Sequence, residues 1–217
     1  IDVENDYSDR NPSVIGGVSI TTTGVVTGLN SDGIRVDTGY GSYSGDVTIN
    51  VATVTGKQNG IFGENGGINA SLSITATGTV TGTNVHGIRG YNSYGPDMYI
   101  RAVNVTGGNA GISATNPGEG ATTIITTGAV TGGNDGIAAS HEGDGALTIT
   151  ATGPVSATKA GSSGIEAGSR ISALNISTGD ASGGAYGIFA SSNGGGVSIT
   201  VSGAVTGGNA GIFVFGN

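Results

Sequence analysis

The dipeptide Gly-Ile recurs along the chain at a nearly constant interval, and this repeat constrains the fold more than any other feature. Successive copies are separated by 27, 27, 24, 25, 28, 23 and 24 residues. Self-similarity at a period of about 20–50 residues is the signature of units that stack on one another. The chain therefore predicts a repeat architecture. The eight copies are Gly33-Ile34, Gly60-Ile61, Gly87-Ile88, Gly111-Ile112, Gly136-Ile137, Gly164-Ile165, Gly187-Ile188 and Gly211-Ile212.

Each repeat contains three short runs in which apolar and polar residues alternate. The first run starts at the Ile of Gly-Ile, the second resembles the stretch from Leu72 to Gly78, and the third reads Val-Thr-Gly, as at Val80. Ile and Val together number 40 against 4 Leu, and 45 of the 217 residues are Gly. Because β-branched residues favour strands and Gly disfavours helices, the sequence predicts an all-β chain without helical segments.

Three strands in each repeat predict a right-handed parallel β-helix, or β-solenoid, of about eight to nine coils of roughly 25 residues. Adjacent coils would pair at about 4.8 Å, with the Ile and the residue two later pointing inward. Parallel crossovers are overwhelmingly right-handed, which gives the expected hand. Residues 14–217 are predicted to form one β-helix domain that is a segment of a longer chain. Residues 1–13, which are acidic, are expected to form a lead-in that partly caps its N-terminal end.

The turn before each Gly-Ile carries Asn between glycines, as at Asn109, Asn134 and Asn209. Asn and Gly tolerate left-handed backbone, so we expect these corners to adopt it. The length of the repeat varies mainly between the first and second runs. Loops over residues 38–46, 64–71 and 91–97 should therefore protrude on one side of the rod.

Charge and composition exclude several classes of function. The formal net charge is −8 with 7 Lys and Arg, too few for a phosphate-binding footprint, so we expect no nucleic-acid partner. The chain has no Cys, and its two histidines, His86 and His141, lack the spacing of a metal site. We expect no metal and no cofactor. No apolar run approaches the roughly 20 residues that a membrane-spanning helix needs.

Two repeated motifs resemble a known family of secreted proteins. The sequence Val-Thr-Gly-Gly-Asn-Ala-Gly-Ile occurs at 105–112 and 205–212, and Leu-Thr-Ile-Thr-Ala-Thr-Gly occurs at 147–153. Both are similar to the passenger region of bacterial autotransporters. The resemblance implies a place outside the outer membrane, secretion through the protein's own outer-membrane barrel, and adhesion to a host-cell receptor, extracellular matrix or glycan. It brings no catalytic motif with it.

The outward positions of the first run predict a binding patch. Arg and Phe alternate in one column of neighbouring coils, where a guanidinium can stack on a ring, and tyrosines follow in the adjacent loops. Aromatic side chains beside Arg are typical binding anchors. The alternative is that the loops fold their tyrosines onto the rod for local packing. The predicted patch comprises Arg35, Tyr40, Tyr43, Phe62, Arg89, Tyr91 and Tyr94.

A pair of carboxylates suggests a different function. Asp37 and Glu64 occupy the same outward position of neighbouring coils, about 4.8 Å apart along the backbone. That spacing is close to the roughly 5 Å between the carboxyl groups of retaining glycosidases, and polysaccharide-degrading enzymes resembling pectinases share the fold. Two solvated surface acids explain the pair more simply, because the same position further along holds Tyr91, Thr115 and Ser140. We therefore expect no enzymatic activity and no catalytic residue.

Outward Ser and Thr of the second run suggest ice binding as another alternative. Thr75 and Thr77 in one coil and Thr150 and Thr152 in another form rows like those of ice-binding solenoids. The coil containing Arg101 interrupts these rows, and Thr on an exposed strand also reflects ordinary β-propensity. The sequence thus favours a rigid extracellular scaffold or adhesin. We expect a monomer that can associate end to end through Ile212–Phe215.

Overall fold

Regular alternation of buried and exposed side chains folds this chain into a parallel β-solenoid. The computed structural model describes residues 1–4, 16–39 and 45–216, and within these ranges it contains strands and turns but no helix. Every strand pairs with its neighbours in parallel. Eight coils follow one another at intervals of about 25 residues, so the predicted β-solenoid is confirmed.

One nine-stranded sheet, here sheet 1, is built from the first run of each repeat. Its strands follow one another in sequence order along the rod, and each pairs with the equivalent strand of the next coil. They are β1 (Asp2–Glu4), β3 (Ile34–Asp37), β5 (Ile61–Asn65), β7 (His86–Asn92), β9 (Ala110–Asn116), β12 (Asp135–His141), β15 (Ser163–Ser169), β18 (Tyr186–Ser192) and β21 (Ala210–Gly216).

The second and third runs form a twelve-stranded sheet, here sheet 2, whose strands differ between the two halves of the rod. In the first four coils the two runs join into one long strand: β2 (Val18–Gly28), β4 (Val47–Gly56), β6 (Leu72–Gly82) and β8 (Met98–Gly107). Register shifts mark the bend in these strands. The later coils keep the predicted separate strands: β10 (Thr122–Thr126), β11 (Val130–Gly132), β13 (Leu147–Ala151), β14 (Val155–Ala157), β16 (Leu174–Thr178), β17 (Ala181–Gly183), β19 (Val197–Val201) and β20 (Val205–Gly207).

The core is a set of apolar columns in which like side chains stack on like. Ile112 pairs in register with Ile88 on one side and Ile137 on the other. In sheet 2, Val130 pairs with Val105 and Val155 in the same way. The Ile of sheet 1 is completely buried in seven successive coils, from Ile34 to Ile188. These registers confirm that the Ile and the residue two later point inward.

The glycine of each Gly-Ile is required by close packing between coils. A Cβ on Gly60 would lie 2.6 Å from Cγ1 of Val80 and 2.6 Å from the carbonyl oxygen of Gly87. Both distances are shorter than van der Waals contact, so no side chain fits there. The inward Val of one coil therefore occupies the space that the Gly of the preceding coil leaves free.

The prediction of left-handed corners at the turn asparagines is wrong. Among the described residues, φ is positive at Asn69, Gly39 and Gly161, and not at Asn109 or Asn134. The turns instead continue the pairing between coils, since the Asn134 backbone N–H donates to the Asn109 carbonyl at 2.7 Å. The Asn134 side-chain amide also donates to the side-chain oxygen of Asn109. A turn such as that at Gly133 needs glycine for close approach, since a Cβ there would overlap the Gly108 carbonyl oxygen, whereas Gly161 uses the conformational freedom of glycine with a φ of 81°.

A buried polar column lies where each strand of sheet 1 ends, and sequence analysis did not predict it. Its members stand four residues after each Ile and are 0 to 4% exposed. Several bond to the loop that follows in their own coil. Asn92 donates its amide N–H to the Asp97 carbonyl at 3.0 Å, and Ser192 donates its hydroxyl to the Gly195 carbonyl at 2.8 Å. This column, here the polar corner, comprises Thr38, Asn65, Asn92, Asn116, His141, Ser169 and Ser192.

The two ends of the rod differ from its middle. Residues 2–4 form β1, which pairs in parallel with β3 and so extends sheet 1 by one strand. The rest of the predicted lead-in, residues 5–13, lies outside the described residues, and the capping role stays a prediction. In the last strand, Ile212 and Phe215 are 45% and 60% exposed.

Candidate functional site

The outer face of sheet 1 carries the predicted stack of two arginines on a phenylalanine. Register pairs Arg35 with Phe62, and Phe62 with Arg89. The guanidinium carbon of Arg35 lies 4.3 Å from the centre of the Phe62 ring, and that of Arg89 lies 5.1 Å away. Both distances fall within the range of cation–π contacts. These three residues are here the arginine–phenylalanine column.

The phenylalanine of this column is not the exposed anchor that the sequence suggested. Phe62 is only 5% exposed, because the two guanidinium groups cover its ring. Its role is to hold both arginines in place, and any ligand would meet the arginines first.

The two arginines differ in their electrostatic surroundings. Arg35 is half-buried and its guanidinium lies 2.7 Å from a carboxylate oxygen of Asp37, 3.8 Å from Asp32 and 3.7 Å from Glu4. Three acids thus offset its charge. Arg89 is exposed and forms no ion pair with any other described residue. On this column, Arg89 is therefore the cation that can meet an anionic group in solution.

The four predicted tyrosines do not share one environment. Tyr91 lies on β7, in register with Glu64 and Thr115, and is half-buried. Tyr94 lies in the loop after β7 and is 56% exposed. Tyr40 and Tyr43 lie outside the described residues. The structure therefore places Arg35, Phe62, Arg89 and Tyr91 on one face, with Tyr94 on the loops beyond the polar corner.

A concavity of about 430 Å³ opens among the loops that follow β5, β7 and β9, and sequence analysis missed it. Three loops of successive coils form it together, so no single repeat contains its pattern. Its walls combine apolar and polar groups, and Asn69 adopts a left-handed backbone there with φ of 62°. This surface, here the loop concavity, is lined by residues that include Ile68, Asn69, Ser93, Tyr94, Pro117 and Glu119.

The carboxylates suggested as a catalytic pair have different surroundings. Asp37 and Glu64 are register partners, as the sequence predicted. However, the Asp37 carboxylate binds Arg35 at 2.7 Å and also accepts the Gly39 N–H at 3.2 Å. Glu64 is only 7% exposed. The pair therefore does not present two accessible carboxyl groups to a substrate.

A shallow trough of about 230 Å³ crosses the middle of sheet 1. Small side chains such as Ser113 and Ala138 form it, and Glu166 stands at its edge. Partial burial and, to a smaller extent, the charge of Asp135 raise the pKa of Glu166. Burial also raises the pKa of Asp135. No sequence motif marks these neighbouring acids, because they belong to different columns of adjacent coils.

The outward Ser and Thr of sheet 2 form rows in register, as expected. Thr21, Asn50 and Thr75 pair in succession, but Arg101 follows next in the row. Tyr99 likewise interrupts the neighbouring row after Ser73. The longest unbroken hydroxyl surfaces therefore cover only a few coils on either side of β8.

Both histidines lie on strands rather than in turns or loops. His86 begins β7 and His141 ends β12. Burial is the main cause that lowers the pKa of each, and the charge of Arg89 adds to it for His86. His141 belongs to the polar corner, where its Nδ1 lies 3.1 Å from the Thr122 hydroxyl. No group of three or more potential metal ligands occurs among the residues that the structure describes.

The search for a membrane-spanning helix and the comparisons with known proteins both gave negative results. In the described ranges, no helix is long and apolar enough to cross a membrane. Comparisons of the chain with protein-family models, with curated proteins and with solved structures found no match.

Proposed function

We propose that this chain is part of an extracellular scaffold that presents one face and its loops for adhesion. The proposal places it on the bacterial outer-membrane surface, as a passenger segment secreted through its own barrel, as the resemblance to autotransporters implies. Its partner is a glycan, a host-cell receptor or an extracellular-matrix component. A monomeric rod able to associate end to end suits this role.

The arginine–phenylalanine column is the observation that carries the proposal. Arg35 and Arg89 lie on either side of Phe62 in one column of a rigid sheet, where the buried Phe62 ring fixes both. The hydrogen-bonded coils hold these side chains in place before any ligand arrives, which lowers the entropy cost of binding. Tyr91 on the same face and Tyr94 on the adjacent loop extend the surface. Rigid presentation of Arg and Tyr is typical of protein recognition surfaces.

A binding screen tests the proposal. The purified chain would be incubated with cultured epithelial cells, with immobilised matrix proteins and with an oligosaccharide array. We expect binding in at least one of these formats. The double variant Tyr91→Ser, Tyr94→Ser should weaken that binding, whereas Tyr99→Ser, on the outer face of sheet 2, should leave it unchanged. Absence of binding in all three formats would contradict adhesion as the function.

Ice binding is the second candidate, because the Ser and Thr rows of sheet 2 are in register. Thr21 and Thr75 on the first coils flank a shallow surface of about 330 Å³. Thermal hysteresis measured at millimolar protein concentration would support this alternative. The carboxylate pair gives less support to polysaccharide degradation, since Arg35 holds Asp37. A reducing-sugar assay on acidic polysaccharides would test that activity, and we expect no product.

A further inference from the structure

The loop concavity has the construction of a preformed ligand site. The loops of successive coils pack so closely that a Cβ on Gly95 would overlap the Ala70 carbonyl oxygen, and one on Gly118 would overlap that of Gly95. The walls are therefore held by backbone contacts. The volume of about 430 Å³ lies within the range of small-molecule sites, which is about 300–1,000 Å³.

Ser93, one of the residues that line this concavity, carries a buried hydroxyl without a partner. Ser93 is 5% exposed, and its Oγ forms no hydrogen bond with any described residue. Buried hydroxyl groups in folded proteins are nearly always hydrogen-bonded, so an unpartnered one needs an explanation. A ligand hydroxyl that donates to or accepts from Oγ would supply the missing partner.

The remaining lining residues define the chemistry of the ligand. Tyr94 and Ile68 are 56% and 40% exposed and offer apolar surface, and the Pro117 ring adds to it. Asn69 and Glu119 contribute an amide and a carboxylate, and no Lys or Arg lines the concavity. A ligand must therefore combine an apolar face with hydroxyl groups and carry no negative charge. A neutral pyranose has this combination, because its C–H groups form one face and its hydroxyls form the edge.

We propose that the loop concavity is a binding site for one neutral sugar ring of a glycan. Tyr94 stacks against the C–H face of the ring, and the Ser93 hydroxyl and the Asn69 amide bond to its hydroxyl groups. Glu119 accepts a further sugar hydroxyl and disfavours sugars that carry a carboxylate or sulfate. The proposal rests on the proposed adhesive function and assigns its ligand class and its site, which is separate from the arginine–phenylalanine column.

The test uses an array of immobilised neutral, sialylated and sulfated oligosaccharides, probed with the whole chain. We expect binding to neutral structures. Tyr94→Ala should weaken it by about ten-fold or more, the size of a binding hot spot. Ser93→Ala should also weaken it while leaving the melting temperature unchanged or higher, because the substitution removes an unpartnered buried hydroxyl. Tyr99→Ala serves as the matched control. Glu119→Gln should admit sialylated glycans.

Titration with methyl glycosides, followed by amide NMR shifts, then locates the site. Shifts centred on residues 68–69 and 93–95 support the proposal. Shifts centred on Arg89, or equal array binding by the wild type and Tyr94→Ala, would overturn it while leaving adhesion intact. An empty array combined with binding to cells or matrix proteins would also overturn it and leave the proposed function standing. Absence of all binding would overturn both.

Discussion

Two buried columns run side by side beneath sheet 1, and they stabilise the rod in opposite ways. The Ile column, from Ile34 to Ile188, is fully buried, and its members stack on the equivalent Ile of the coils above and below. The polar corner is buried nearly as deeply, but several of its side chains, such as Asn65 and Asn92, bond to the loop of their own coil. Apolar side chains are therefore sufficient along the strands, because the backbone groups there already pair with neighbouring coils.

The polar corner is needed where that pairing ends. As the chain leaves sheet 1, its backbone N–H and C=O groups turn inward, and buried groups of this kind require partners. Asn65 supplies two, accepting the Gly67 N–H at 2.9 Å and donating to the Ser71 carbonyl at 2.9 Å. The comparison teaches that the Ile column fixes how coils stack and the polar corner fixes how each coil turns.

Truncating the Ile column should have the largest effect. Ile112→Ala leaves a cavity between Ile88 and Ile137, and large-to-small changes of this kind cost about 2–5 kcal/mol of unfolding free energy. Denaturant unfolding at pH 7 measures the loss. Ser113→Ala, one residue further along and facing outward, is the control and should change stability by less than about 0.5 kcal/mol. A loss below about 1 kcal/mol for Ile112→Ala would indicate that the column is not tightly packed.

Truncating the polar corner should cost somewhat less. Asn92→Ala removes one of two donors to the Asp97 carbonyl, which keeps the Leu72 N–H, and the loss of this hydrogen bond should cost about 0.5–1.5 kcal/mol of unfolding free energy. The same unfolding experiment applies, with the exposed turn residue in Asn84→Ala as control. If both variants were equally stable, the polar corner would be dispensable for turning the chain.

These two columns also show what the sequence could reveal. Gly-Ile marks the Ile column directly, because the dipeptide recurs unchanged in every coil. The polar corner changes residue type from Thr38 through Asn65 to His141 and Ser169, so no motif marks it. The position itself could nevertheless have been found. The Ile and the residue two later point inward, and the residue two further along, which points inward by the same alternation, is polar in each of these coils.

The candidate site likewise has one part that the sequence predicts and another that it does not. The arginine–phenylalanine column follows from strand period and coil register, and the structure has the predicted contacts. The burial of Phe62 could not be predicted, because it depends on where two flexible arginine side chains lie. The loop concavity was also beyond prediction, since it depends on how three loops of unrelated sequence, around Asn69, Tyr94 and Pro117, pack together.

Replacing His141 of the polar corner by Asn should alter the pH dependence of the unfolding free energy rather than its value at pH 7. Burial lowers the pKa of His141 below its usual 6.5, against smaller raising effects of backbone hydrogen bonds with Gly145 and Gly143 and of the Asp144 charge, so the unfolded chain binds a proton more readily. The stability of the wild type is then fully present above about pH 6.5 and falls as the pH drops through the lowered pKa. The wild type should therefore lose stability between pH 7 and pH 5 that the variant keeps.

His141→Asn removes this loss because Asn is uncharged and Asn116 already occupies the equivalent position of the preceding coil. Unfolding curves at pH 7 and pH 5, compared between wild type and variant, measure it. His86→Asn should remove a loss of the same sign, because burial and the charge of Arg89 also lower the pKa of His86. Parallel pH profiles for wild type and His141→Asn would show that folding does not lower the pKa of His141.

The smallest effect is expected on the outer face of the same sheet. Burial and the charge of Asp135 raise the pKa of Glu166, so its ionised form opposes folding once the pH exceeds the unfolded value of about 4.5. Glu166→Gln should therefore stabilise the chain slightly at pH 7, by no more than about 0.5 kcal/mol because the side chain is exposed. A gain that persists at pH 3, where the wild-type carboxyl is protonated, would point to a cause other than charge.

Cross-linking between coils tests the parallel register most directly, because the chain has no cysteine of its own. Ser113 and Ala138 are register partners on the outer face of sheet 1, and paired strands lie about 4.8 Å apart, within reach of a disulfide. The double variant Ser113→Cys, Ala138→Cys should form an intramolecular disulfide under mild oxidation. The control Ser113→Cys, Glu166→Cys, two coils apart, should remain reduced. Equal oxidation of both variants, or none in the first, would contradict the stacked coils.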